Sequence, residues 1–239
     1  MTGAIEPTLV VAEVFGPTFQ GEGPSAGRLA SFIRLGGCNL HCPPCDSKFT
    51  WDSSRFDLRK EMTRRPVDDV ARQALGYGAR LIVISGGEPL LHQAQPGWAP
   101  LLARLRAARC EVEVETNGTM VPNDATTALV TRFNVSPKLR AMDGDPESAR
   151  IVPAAIAALW ATRRAVFKFV CSSPADVDEA AATTKRLGIY PHKVWIMPEG
   201  TTAEKITASL RVLADPAREA GFNLTTRLHV LAWGDERGR

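Results

Sequence analysis

Short apolar runs that each end in a polar or glycine-rich tip recur along this chain, and the recurrence limits the folds open to it. Leu29 to Leu35 enters a cysteine-bearing loop, Leu81 to Ser85 enters Gly86-Gly87-Glu88-Pro89, and Glu111 to Glu115 enters Thr116-Asn117-Gly118. Phe133 to Val135 enters Ser136-Pro137-Lys138, Val194 to Met197 enters Pro198-Glu199-Gly200, and Val166 to Val170 is a sixth run of the same kind. Brief, largely continuous apolar runs suit strands buried on both faces. Helix-forming stretches alternate with them, near Pro66–Leu75, Ala99–Ala108, Glu147–Trp160, Ala175–Leu187 and Ala203–Ala220, with Pro66 suited to a first helical turn. The alternation predicts an α/β fold with a parallel sheet, and Val10 to Phe15 reads as an extra strand. Parallel strands end on one face, where the loops of barrel enzymes build the active site. Six βα units are too few for the usual eight-unit closure, so the expected architecture is an incomplete parallel (βα)6 barrel with an open side, in a single domain. A doubly wound open sheet is the alternative.

Composition narrows the functional classes. At 239 residues and 44% hydrophobic, the chain is large enough for one sizeable core. Its 29 basic and 26 acidic residues are scattered rather than blocked, so no nucleic-acid partner is expected. Met1 to Val14 lacks early basic residues and a long apolar core, so neither a signal segment nor a membrane span is expected, and the protein is expected to be cytoplasmic. Five cysteines in such a compartment do not read as a disulfide framework. Cys110 and Cys171, beside apolar runs, read as small buried side chains, and His41, His92 and His192 show no partner pattern.

The remaining three cysteines are different. Cys38, Cys42 and Cys45 stand in one loop at Cys-x3-Cys-x2-Cys spacing, with Asp46 and Ser47 directly after them. Three thiolates can hold a four-iron cluster and leave one iron open for chemistry. They can equally form most of a zinc site, with His41, Asp46 or a distant residue as fourth ligand. Spacing alone leaves both open.

Taken with the strand-borne Gly86-Gly87-Glu88-Pro89 about forty residues further on, the triad resembles the radical S-adenosylmethionine superfamily. The run Glu13-Val14-Phe15-Gly16-Pro17-Thr18-Phe19-Gln20-Gly21-Glu22-Gly23-Pro24, followed by Phe32-Ile33-Arg34-Leu35-Gly36-Gly37-Cys38-Asn39-Leu40, is similar to the 7-carboxy-7-deazaguanine synthase family. Ser136-Pro137-Lys138, Lys168-Phe169-Val170 and Arg227-Leu228-His229 extend that resemblance over nearly the whole chain.

The resemblance implies a carbon-nitrogen lyase that contracts 6-carboxy-5,6,7,8-tetrahydropterin to 7-carboxy-7-deazaguanine on the route to queuosine. It implies a [4Fe-4S] cluster on Cys38, Cys42 and Cys45, S-adenosylmethionine, and Mg2+ on Ser47. The cofactor would be held by Pro44, Gly87, Glu88, Gly118, Ser136, Pro137, Lys138 and the strand end Ile196, Met197, Pro198, Glu199. Gly86 and Gly87 would let backbone approach it, and the Glu88 carboxylate would receive its ammonium. Phe19, Gln20, Gly21 and Glu22 would grip the pterin, Arg34 would pair with its carboxylate, and Ser85 and His229 would also touch substrate, with Lys168 and Thr116 to Gly118 lining the site. Pro44 departs from the superfamily, which commonly carries an aromatic residue there. A flavodoxin- or ferredoxin-like electron donor, a homodimer, and closure of the site by residues 224–239 are further implications. A glycyl-radical activating enzyme, acting on a protein partner, would share the cluster and the partial barrel, whereas an electron carrier or zinc module would not need the aligned strand tips.

Overall fold

The structure is a computed structural model and describes residues 6–142 and 144–239. The expectation about Met1 to Val14 therefore lies in part outside the described residues. One nine-stranded sheet organises the chain: β1 (Thr8–Phe19), β2 (Leu29–Leu35), β3 (Thr63–Pro66), β4 (Leu81–Gly86), β5 (Glu111–Thr116), β6 (Arg132–Val135), β7 (Ala165–Cys171), β8 (Val194–Pro198) and β9 (Asn223–Leu224). Their spatial order is β3-β1-β2-β4-β5-β6-β7-β8-β9. From β2 onward every neighbouring pair is parallel, and the strands follow one another in chain order with no reversal.

That order excludes the doubly wound alternative, which needs a point where strand order turns back. The sheet is not closed, because β2 and β8 each pair elsewhere. A partial barrel with six full parallel strands results, extended by the two-residue β9. On the other flank β1 runs antiparallel to β2 and β3 antiparallel to β1. The sheet edge at β3 carries Thr63-Arg64-Arg65-Pro66, whose charges and proline discourage pairing with another chain.

The helices are α1 (Leu58–Glu61), α2 (Val67–Gly76), α3 (Trp98–Ala107), α4 (Asp124–Leu129), α5 (Glu147–Arg150), α6 (Pro153–Ala161), α7 (Pro174–Leu187), α8 (Ala203–Glu219) and α9 (Leu228–Trp233). α2 shows why they pack outside the sheet. Val67, Val70, Ala71 and Ala74 fall at i, i+3, i+4 and i+7 and are all buried, making a single apolar stripe. α7 is punctuated at both ends: Ser173 and Asp176 form a reciprocal capping box, Pro174 opens the first turn, and Gly188 closes the last at φ 68°. Between helices and sheet lies one continuous core containing Trp98, Phe133, Phe167, Phe169, Ile82 and Ile84. Each such fully buried side chain contributes about 1.5–3 kcal/mol.

Two features depart from the sequence expectation. The helix expected over Glu147–Trp160 is two helices, because Pro153 has no N–H to donate and Val152 before it turns extended, at φ −106° and ψ 96°. Pro66 is the cap of α2 and the end of β3 rather than a residue of the first turn. The sequence reading also passed over α4, whose six residues depend on an Asn123 cap and on the buried Trp98 indole N–H donating to Thr126 at 2.8 Å.

Candidate active site

A cavity of about 780 Å³ opens at the C-terminal ends of the parallel strands, a volume suited to small-molecule recognition. Cys38, Cys42, Cys45 and Pro44 line one wall, with Met142 and Val170. Cys38, Leu40, Cys42 and Met142 form an apolar cluster of their own, apart from the main core. Burial pushes the Cys38 thiol up to about 11 and raises Cys42 as well, so thiolates here need a metal to sustain them. Two N–H groups already point at sulfur: Leu40 N–H to Cys38 Sγ at 3.4 Å and the Trp51 indole to Cys45 Sγ at 3.5 Å. Such donors tune a bound metal centre. Among the described residues no three His, Cys, Asp or Glu side chains converge tightly enough to hold a single metal ion. Three thiols lining one cavity, with N–H donors aimed at two of the sulfurs, suit a four-iron cluster that takes one thiolate per iron and leaves the fourth iron open.

Backbone proximity holds this loop. A Cβ on Gly87 would overlap the Gly37 carbonyl, and one on Gly86 (φ +141°) would overlap the Leu35 carbonyl. The two glycines thus bring β4 against the base of the cysteine loop, and both also line the cavity. Glu88 N–H donates to Gly37 O at 2.8 Å and His92 Nε2 lies 2.8 Å from Gly36 O. Asn117 Nδ2 reaches Asn39 Oδ1 at 3.0 Å, and His41 N–H reaches Asp145 Oδ2 at 2.6 Å on the loop's other side.

Glu88 is fully buried and does not line the cavity. Oε1 accepts from Leu90 N–H (2.9 Å) and the Thr116 hydroxyl (2.8 Å), and Oε2 from Asn117 N–H (2.7 Å). Desolvation raises its pKa against those hydrogen bonds. Its carboxylate braces the turn after β5. Gly118, Pro137 and Ile196 likewise stand behind the wall. Gly118, at φ +81°, packs against Val135, and Ile196 belongs to the core. Ser136, Lys138, Met197, Pro198, Glu199, Gly87 and Pro44 do line the cavity.

The opposite wall is charged. Glu22 receives Nε of Arg227 at 3.0 Å and the Lys168 ammonium. Arg227 also bonds Asp46, just after the last cysteine, and donates Nη1 to Gly200 O at 2.7 Å. Burial would raise the Glu22 carboxyl, but Lys168 and Arg227 reverse this and hold it far below the usual carboxylate range. Burial raises Glu115, which stands beside Gln20: Gln20 Nε2 donates to Glu115 Oε1 at 3.1 Å, and Glu22 N–H donates to Gln20 Oε1 at 3.2 Å. Burial lowers His229, keeping it neutral near pH 7, and its ring fills the space that a Gly21 Cβ would need. Between the walls Arg34 donates Nε to Glu13 (2.6 Å) and Nη1 to Ser47 Oγ (3.2 Å). The Ser85 hydroxyl is buried with no protein partner among the described residues.

The structure thus gathers Phe19, Gln20, Gly21, Glu22, Arg34, Ser47, Ser85 and His229 around one cavity with the cysteines. Sequence reasoning assigned no role to Glu13 or Arg227, considered Asp46 only as a fourth zinc ligand, and passed over Glu115. A signal for Glu115 was present, since a carboxylate within a strand run is seldom left without a partner.

Comparison with known proteins agrees with this geometry. Residues 32–138 match the model of the Radical SAM superfamily. The chain is 37% identical to a 7-carboxy-7-deazaguanine synthase of Pyrobaculum aerophilum over 98% of both chains. The chain belongs to the 7-carboxy-7-deazaguanine synthase family. A family member of Halobacterium salinarum is 36% identical over 98% of this chain and 93% of its own. The crystal structure of QueE from Escherichia coli superposes with a TM-score of 0.69 at 26% identity, covering 93% of this chain and 95% of that one. Membership makes this a radical SAM enzyme and implies a [4Fe-4S] cluster and S-adenosylmethionine, and the three thiols line the same cavity.

Proposed function

We propose that the chain converts 6-carboxy-5,6,7,8-tetrahydropterin to 7-carboxy-7-deazaguanine with release of ammonia, regenerating S-adenosylmethionine at each turnover. The observation that carries this reading is the facing of a thiol wall and a charged, amide-bearing wall across one cavity. When bound, the cluster and S-adenosylmethionine supply a carbon-centred radical able to remove hydrogen from the pterin C6.

The chain's own residues bind and orient. Lys168 and Arg227 keep Glu22 ionised, so it accepts from the N–H edge of an aminopyrimidinone as a carboxylate accepts from guanine. Gln20 can both donate and accept beside it. Neutral His229 and the unpartnered Ser85 hydroxyl supply further polar contacts, and a buried hydroxyl without a partner is well explained by a ligand. Arg34 offers Nη2, which has no protein partner among the described residues, to the substrate carboxylate. Mg2+ on Ser47 would act as template and Lewis acid at the same end of the substrate, since Ser47 Oγ touches Arg34. Pro44, Gly87, Ser136, Lys138, Met197, Pro198 and Glu199, which line the cavity, would hold the methionine and adenosyl parts of the cofactor. A flavodoxin- or ferredoxin-like donor, a cytoplasmic setting and a homodimer belong to the same proposal. Among the described residues no helix is long and apolar enough to cross a membrane.

Anaerobic turnover of reconstituted protein with the pterin, S-adenosylmethionine, Mg2+ and reductant tests the reading. Deazaguanine should accumulate well beyond the S-adenosylmethionine consumed. Cleavage of S-adenosylmethionine without deazaguanine would instead favour an activating enzyme with a protein substrate.

A further inference from the structure

The last residues of the chain return over the cavity, and one side chain fastens them there. Arg237 reaches three elements at once. Its Nε donates to Glu13 Oε2 in β1 at 3.0 Å, its Nη1 to Glu61 Oε2 in α1 at 2.9 Å, and its guanidinium lies 3.7 Å from the ring centroid of Phe49, just beyond the cysteine loop. One half-exposed ion pair would contribute little. Three contacts on a rigid planar group fix both its place and its orientation. Upstream, Trp233 stacks on Phe19 with centroids 6.1 Å apart, and Leu228 N–H donates to Gly21 O at 2.9 Å.

Glu13 joins this fastening to the site. Its second oxygen accepts from Arg34 Nε at 2.6 Å, so a single carboxylate, only 15% exposed, lies between two guanidinium groups. Phe49 lies under both cations, 5.9 Å from the Arg34 guanidinium carbon. The direction in which Arg34 presents Nη2 therefore depends on Glu13, and the orientation of Glu13 depends on Arg237.

We propose that Glu13 and Arg237 are positioning residues: Arg237 latches the C-terminal segment across the cavity and, through Glu13, aims the Arg34 guanidinium at an anionic group of the substrate. The aiming rests on the proposed pairing of Arg34 with the substrate carboxylate, whereas the latch does not. Closure of the tail and alignment of Arg34 are then one event. A substrate lacking the carboxylate would gain nothing from it.

The experiment compares the reconstituted wild-type enzyme with Arg237→Ala, Arg237→Lys, Glu13→Gln, the Arg237→Ala/Glu13→Gln double variant and Arg34→Ala. Steady-state kinetics are paired with hydrogen-exchange mass spectrometry over residues 228–239. Arg237→Ala and Glu13→Gln should each raise KM for the pterin roughly tenfold with kcat changed less than about twofold. The double variant should be no worse than the poorer single variant, since both cut one connection. Arg237→Lys keeps the charge without the fork and should recover part of the loss. Exchange over 228–239 should quicken in Arg237→Ala while cluster absorbance stays at the wild-type level.

Unchanged exchange, an unchanged KM, an additive double variant, or loss of iron in either single variant would each overturn the proposal. If the wild-type enzyme makes no deazaguanine, or Arg34→Ala leaves KM unchanged, the proposed function or the role of Arg34 fails instead, and the exchange result still decides the latch.

Discussion

The two walls of the cavity are built by opposite means. The cysteine wall is held by backbone approaching backbone, by hydrogen bonds mostly to backbone groups and by a small apolar cluster, with its buried thiols favoured in the neutral state. The facing wall is an ion network in which Glu22, Lys168, Arg227 and Asp46 are brought together from distant parts of the chain. The first arrangement tolerates almost no change of shape, while the second tolerates almost no change of charge. This contrast matches what each must hold: a rigid inorganic group needs fixed ligand positions, and a polar heterocycle needs oriented donors and acceptors already stripped of water.

The largest effect expected on either wall is that of Gly87→Ala. Its methyl group would overlap the Gly37 carbonyl, so β4 and the cysteine loop must part. A loss of about 3 kcal/mol or more is expected, with iron content on reconstitution falling to a small fraction of wild type. Normal iron content would show the loop to be less tightly specified than its packing implies.

Glu22→Gln should come next, at about 3 kcal/mol in urea unfolding at pH 7, because it leaves Lys168 and Arg227 buried beside a neutral amide. Since the folded pKa of Glu22 is depressed, its contribution is present above the ordinary carboxylate value and is lost as pH falls through the folded one. The gap between wild type and variant should therefore persist at pH 5 and close only in stronger acid. A gap that closed by pH 5 would mean that Glu22 is not held by its cations.

Arg227→Lys sharpens the same wall. Lysine cannot bridge Glu22 and Asp46 as a planar fork, and about 1–2 kcal/mol should be lost with the cluster unaffected. An equal loss of iron would tie Asp46 to the metal side of the cavity.

His229→Asn should have the smallest effect. The folded pKa of His229 is lowered, so its contribution is present above the ordinary value and is lost as pH falls below about 6.5. Stability curves for wild type and variant, measured from pH 7.5 to 5, should diverge in slope by a fraction of a kcal/mol, with the variant flatter.

The same contrast governs what could be read without coordinates. The cysteine wall was legible because its chemistry lies within one loop and its supports are strand ends with visible glycine and polar tips. The parallel strands followed from the same periodicity, whereas the preference for an open barrel over a doubly wound sheet leaned on the family resemblance. The charged wall was legible only through family resemblance, because its partners are remote: Glu22 meets Lys168 across 146 residues and Arg227 across 205. No local pattern states such a pairing, although Lys168 inside the apolar run Val166–Val170 and Glu115 on its strand were both charges in need of one. The break at Pro153 was readable in principle, since proline opens helices more readily than it continues them. The saturated carboxylate of Glu88 was not, because it depends on where the turn after β5 folds back.

The separation within the charged wall also sets an order in time. Asp46 and Arg227 are 181 residues apart, and at about 5–20 residues per second a ribosome needs on the order of ten to forty seconds to make the intervening chain. Throughout that interval the cysteine loop and Glu22 exist without the guanidinium that ties them together. The charged wall can therefore be completed only after residue 227 has been made.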